Sequence, residues 1–136
     1  MSFDTTKPTT LMLGRWQPWH DGHTELFKRA LAETGQVCIL TRNVGGIVGE
    51  DAGDGRTMVQ DDNPFDLEQV KQNIIADLSD KYTYGNEYVI MLVPNIVNIT
   101  YGRGVGYVFE QETFDDNIHD ISATKIRAQM RKDGTL

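Results

Sequence analysis

The chain has 136 residues, 39% of them hydrophobic and 24% charged, with a net charge of −7. Its length is that of one ordinary domain, and its composition belongs to a globular chain and not a disordered one. The acidic balance argues against nonspecific binding to DNA or RNA, which needs a basic surface, and no apolar run is long enough to span a membrane.

The opening Met1-Ser2-Phe3-Asp4 lacks the basic and apolar regions of a signal peptide. Thr10-Leu11-Met12-Leu13-Gly14 reads as a short buried strand ending at a glycine. Residues 22–34 read as a helix with Leu26, Phe27, Ala30 and Leu31 on one face and Gly35 closing it. Val37 to Leu40 is a second apolar strand. It contains the sole cysteine, Cys38, expected as a core thiol, so no internal disulfide can form and a reducing cytoplasm is expected.

Residues 43–64 hold Gly45, Gly46, Gly49, Gly53 and Gly55, and a connection of that length reads as a lid, a binding loop or a disordered segment. After Asn63-Pro64, Leu67, Val70, Ile74 and Leu78 fall at helical spacing behind Asp66, a plausible cap. Tyr88 to Val93 is a continuous apolar run, expected as a strand buried on both faces. Ile96–Tyr101 and Tyr107–Phe109 read as further short strands, and residues 122–133 as the last helix. Apolar strands alternating with helices predict a single α/β domain over residues 1–136. Its expected architecture is a Rossmann-like parallel sheet flanked by helices, with ligands beyond the carboxyl ends of the strands.

The charge reverses near the end of the chain. Glu110, Glu112, Asp115, Asp116 and Asp120 precede Ser122, and Lys125, Arg127, Arg131 and Lys132 follow it. A basic helix on an acidic protein suits a local anion site, although a solvated helix face gives the same composition.

Two constellations carry chemistry. The first is Gly14-Arg15-Trp16-Gln17-Pro18-Trp19-His20-Asp21-Gly22-His23, directly after the first strand. Imidazole N–H donors and helix N-terminal amides stabilise the charge that builds on a phosphate in nucleotidyl transfer, with no covalent intermediate. Gly22 between the histidines removes a side chain where phosphate would approach the backbone. Arg15 supplies a forked cation for phosphate oxygens. The second is Ile121-Ser122-Ala123-Thr124-Lys125-Ile126-Arg127. Ser122 can cap the last helix, Thr124 can present a hydroxyl beside the free amides, and Arg127 follows on the same face. Together these three would cradle the tail phosphates of an NTP.

In order and context, the two motifs resemble the H-x-G-H nucleotidylyltransferase superfamily, whose domain is also called cytidylyltransferase-like. The segment Gly14–His23 is most similar to the nicotinamide-mononucleotide adenylyltransferases, and Asn63-Pro64-Phe65 looks like a loop of their archaeal branch. Where that branch carries an arginine after the loop, this chain has Glu68-Gln69.

The resemblance implies that His20 and His23 are catalytic. Gly14, Arg15, Gly22, Ser122, Thr124 and Arg127 would bind the nucleotide. Trp16, Trp19, Arg42 and Arg103 are further candidates for contact with substrate. The expected ligands are an NTP, ATP in preference to CTP, and a small phosphorylated acceptor. Mg²⁺ would be held mainly through the NTP phosphates and not by a protein metal cage. Nucleic acid and membrane are not expected as partners, and a homo-oligomer is left open. The alternatives are a cytidylyltransferase using CTP and a nucleotide-binding regulatory module without turnover.

Overall fold

The computed structural model describes residues 2–43, 64–103, 107, 109 and 123–134. Three strands, β1 (Thr10–Gly14), β2 (Val37–Arg42) and β3 (Tyr88–Val93), form one parallel sheet in the order β1-β2-β3. Helix α1 (Asp21–Thr34) joins β1 to β2. Helix α2 (Leu67–Leu78) precedes β3, and α3 (Ala123–Asp133) follows it. This is the expected Rossmann-like arrangement of a parallel sheet flanked by helices.

Register fixes which residues meet. Met12, Ile39 and Ile90 lie side by side across the sheet, as do Gly14, Thr41 and Leu92. Because side chains alternate along a strand, Met12, Val37, Ile39, Tyr88 and Ile90 share one face. That face is buried in a single core with Phe27 and Ala30 of α1 and Val70, Ile74 and Leu78 of α2. The helical spacing of these apolar residues is what places both helices there. Asp66 caps α2 by accepting a hydrogen bond from the Gln69 amide at 2.8 Å. Gly35 closes α1 at φ +88°, a left-handed conformation that costs glycine little, and its N–H satisfies the Leu31 carbonyl.

The opposite face departs from expectation. Leu11 and Met91 are both 53% exposed, and among the described residues no helix packs over this side as α1 and α2 pack over the other. Strand β3 is therefore not buried on both faces. A further correction concerns Ile96–Tyr101, which is described without strand structure. The break comes at Pro94, which has no N–H to give a ladder. Beyond it Val97, Ile99 and Tyr101 are exposed. Tyr107 and Phe109 are likewise exposed and outside any strand. The glycine-rich stretch 44–63, the acidic stretch 110–120 and Ser122 lie outside the described residues. Among the described residues no helix is long and apolar enough to cross a membrane.

Candidate active site

The first motif begins where β1 ends. Trp16 adopts φ +55°, a conformation rare for a side chain of its size, and the Gln17–Pro18 peptide bond is cis. The turned backbone folds the Trp16 indole back over Gly14. A Cβ at Gly14 would meet that ring at 2.8–2.9 Å, so the absent side chain makes room for an indole. The indole Nε1 donates to the Leu40 carbonyl of β2 at 3.2 Å.

His20 is the N-cap of α1, in extended conformation. Its Nδ1 accepts the Gly22 amide at 3.1 Å, while the His20 amide donates to His23 Nδ1 at 3.2 Å. This is a reciprocal capping box built from two histidines instead of a hydroxyl and a carboxylate. The bonds decide the tautomer. A neutral imidazole whose Nδ1 accepts must carry its proton on Nε2. Both rings therefore keep an Nε2–H donor beyond the needs of the cap. The two imidazoles stack with centroids 3.6 Å apart.

The surroundings disfavour charge on either ring. Burial lowers the His20 pKa, partly offset by Asp21. His23 is pushed down to about 3, first by burial and then by its neighbour His20. Trp16 meets His23 edge-on at 4.8 Å, and Trp19 lies beside it at 5.4 Å from the same ring. Trp19 is itself fixed by an Nε1 bond of 2.9 Å to the Thr24 hydroxyl. Both tryptophans, considered above for contact with substrate, are buried in the core, so neither presents an open face on which a base could stack.

Gln17 holds this loop to the rest of the protein. Its side-chain amide donates to the Phe65 carbonyl at 3.0 Å and accepts the Phe65 N–H at 2.9 Å, both inside the core. The backbone carbonyl of Gln17 accepts a 2.6 Å bond from Arg127 Nη1. Arg127 is only 2% exposed, so the second motif reaches the first through a buried guanidinium. Sequence reasoning used Gln17 only as a family mark and did not foresee this structural role. The pairing of glutamine with the Asn-Pro-Phe segment was the available signal.

Gly22 is buried in the first turn of α1, and Arg15 is half-buried beside Gly14. Thr124 is described only through its place in the first turn of α3. Arg103 is exposed. Arg42 ends β2, and its Nε is buried without a hydrogen-bond partner. The same holds for the hydroxyl of the fully buried Thr41 and for Asn95 Oδ1. All three sit at the carboxyl end of the sheet, the end that carries the histidines, and Thr41 and Asn95 were not anticipated. Among the described residues no group of three or more His, Cys, Asp or Glu could hold a metal ion.

No family model matches the chain, and no curated protein matches it. Among solved structures, it is similar to a bifunctional NMN adenylyltransferase/ADP ribose pyrophosphatase from Francisella tularensis, crystallised with AMP and a manganese ion. The likeness has a TM-score of 0.50 and 26% identity, over 65% of this chain and 23% of that one. The chain thus spans less than a quarter of that two-activity protein, and what the two share is an α/β fold of nucleotidyltransferase type.

Proposed function

We propose that this chain is a nucleotidylyltransferase that transfers AMP from ATP to a small phosphorylated acceptor and releases pyrophosphate. One observation carries the reading. Each histidine of the cap gives its Nδ1 to a backbone N–H and keeps an Nε2–H donor, at the end of the sheet where such folds bind ligands. Two neutral donors beside a helix N-terminus suit a phosphate that gains charge in its transition state.

In this reading a phosphate oxygen of the acceptor attacks the α-phosphorus of ATP in line. The new P–O bond forms as the bond from the α-phosphorus to the bridging oxygen breaks, and pyrophosphate leaves. His20 and His23 donate to the oxygens on which charge develops. No side chain forms a covalent bond, so catalysis is positioning plus electrostatic stabilisation. Arg15, Gly22, Ser122 and Thr124 complete the phosphate cradle. Arg127 acts from behind it by fixing the loop at Gln17. Thr41, Arg42 and Asn95 offer unpaired polar atoms at the same end of the sheet for the acceptor. Mg²⁺, carried in on the phosphates, would neutralise the tail of the NTP.

The choice of ATP rests on the adenylyltransferase-like segment Gly14–His23 and on the nucleotide bound in the similar structure. The test supplies ATP and CTP together with Mg²⁺ and a pool of phosphomonoesters, and reads pyrophosphate release and product mass. A product carrying AMP is expected. A product carrying only CMP would replace the nucleotide and keep the chemistry. Nucleotide binding without pyrophosphate release from any acceptor would favour the regulatory module.

A further inference from the structure

Trp16 and Trp19 pack next to each other against His23, with centroids 4.8 and 5.4 Å from its ring, while His20 stacks on it. Neither indole is loosely placed. One is tied to the Leu40 carbonyl and the other to the Thr24 hydroxyl, and the two rings also touch each other with centroids 5.0 Å apart. The strained backbone of Trp16 and the bare Cα of Gly14 are both needed to seat the first ring. A residue held at φ +55° stores free energy that a merely space-filling tryptophan would not require.

Resting on the nucleotidylyltransferase reading above, we propose that Trp16 and Trp19 are positioning residues for His23. Their enclosure keeps its imidazole uncharged and Nε2-protonated, so that phosphate meets a neutral donor held in one orientation. A charged His23 would have to put a proton on Nδ1, which breaks its bond with the His20 amide and opens the cap of α1. It would also place a cation against a stacked imidazole in a site lined by indoles. Among the described residues the ionisable groups around it are few. His20 lies on its stacked face, Asp21 of α1 acts on His20, and Asp77 of α2 lies within the influence of Asp21. Arg127 of α3 reaches the loop at Gln17. A neutral donor gives the transition state less charge than an imidazolium would, but it does not bind the phosphates of substrate and product as ions, so more of its effect is reserved for the transition state.

The experiment is imidazole nitrogen NMR on the full chain without nucleotide, which reads tautomer and titration directly and does not depend on turnover. Wild type should show the Nε2–H tautomer at His23 and no titration between about pH 8 and 5, where an ordinary histidine at about 6.5 would titrate. Trp19→Phe keeps a ring but drops the Nε1 anchor, and Gly14→Ala pushes the Trp16 indole aside without touching either histidine. Followed below pH 5 to about pH 3, each should show His23 titrating about one pH unit or more above the wild-type value, and the acid limb of the kcat/KM profile should move with it. Wild-type His23 titrating in the ordinary range overturns the proposal. So does unchanged titration in both folded variants. Because the spectra need no substrate, a failed transfer assay with a non-titrating His23 would count against the transfer reaction and not against the aromatic enclosure.

Discussion

The histidines after β1 and Arg127 of α3 use their polar atoms in opposite ways. At the start of α1 the histidines satisfy each other's backbone through Nδ1 and leave Nε2 over. At the start of α3 Arg127, the most recognisable phosphate-binding type in the motif, is buried and donates to a backbone carbonyl of the other motif. In sequence both look like ligand groups. In space the two histidines keep donors over, while Arg127 braces the loop that leads to them. A signature residue can thus act at one remove, through the backbone it fixes.

The largest effect that would sharpen this contrast is on turnover. His20→Ala and His23→Ala should each lower kcat by roughly two or more orders of magnitude, the scale for removing one donor to a transition-state oxyanion. The Kd for ATP, read by calorimetry, should change much less. Near wild-type turnover in both variants would remove the catalytic assignment.

Arg127→Ala should act first on stability. Losing a charge-assisted bond and leaving the Gln17 carbonyl unpaired inside the core should cost about 2–3 kcal/mol, seen as a lower Tm without nucleotide. An unchanged Tm with weakened ATP binding would erase the contrast and return Arg127 to the phosphates.

Gln17→Met keeps the volume and removes the amide. With both the N–H and the carbonyl of Phe65 left without it, denaturant unfolding should show a loss of about 1–3 kcal/mol. KM should rise as the loop loosens.

The smallest effect concerns pH. In the folded protein His23 is held at about 3, whereas in the unfolded chain it titrates normally. As pH falls below the unfolded value, the unfolded state takes up a proton that the folded state refuses, so stability present at neutral pH is lost. From one histidine the loss at about pH 5.5 is on the order of 1 kcal/mol. His23→Asn should flatten that part of the stability profile, and a variant with the wild-type slope would show that His23 is not its source.

Much of the fold was legible because its signals are local. The apolar run at Tyr88–Val93, the four-residue spacing of Val70, Ile74 and Leu78, and the cap at Asp66 each need only a short window of sequence. What escaped depends on partners far along the chain. The Phe65 pairing of Gln17 spans 48 positions and the Arg127 bond spans 110. The alternation at Val97, Ile99 and Tyr101 looks strand-like, but a strand needs a neighbour, and no periodicity reveals whether one is at hand. In the site, H-x-G-H was plain from spacing. Its reciprocal cap was not, since histidine is an unusual choice for both halves of such a box.

The pair of hydrogen bonds between the Gln17 amide and the Phe65 backbone has a kinetic consequence. Helix α1 and its cap are contacts of short range and can form early, on the time scale of local helix growth. The loop that orients the cap must wait for two distant segments to arrive, and closing those long loops is the slow, entropically opposed part of assembly. Refolding should therefore give far-ultraviolet helix signal first and Trp16 and Trp19 fluorescence later, with ligand competence emerging alongside the fluorescence. Substitutions at Gln17 or Arg127 should slow that second phase if the stitch is already made at the barrier. They should speed only unfolding if it is made after it.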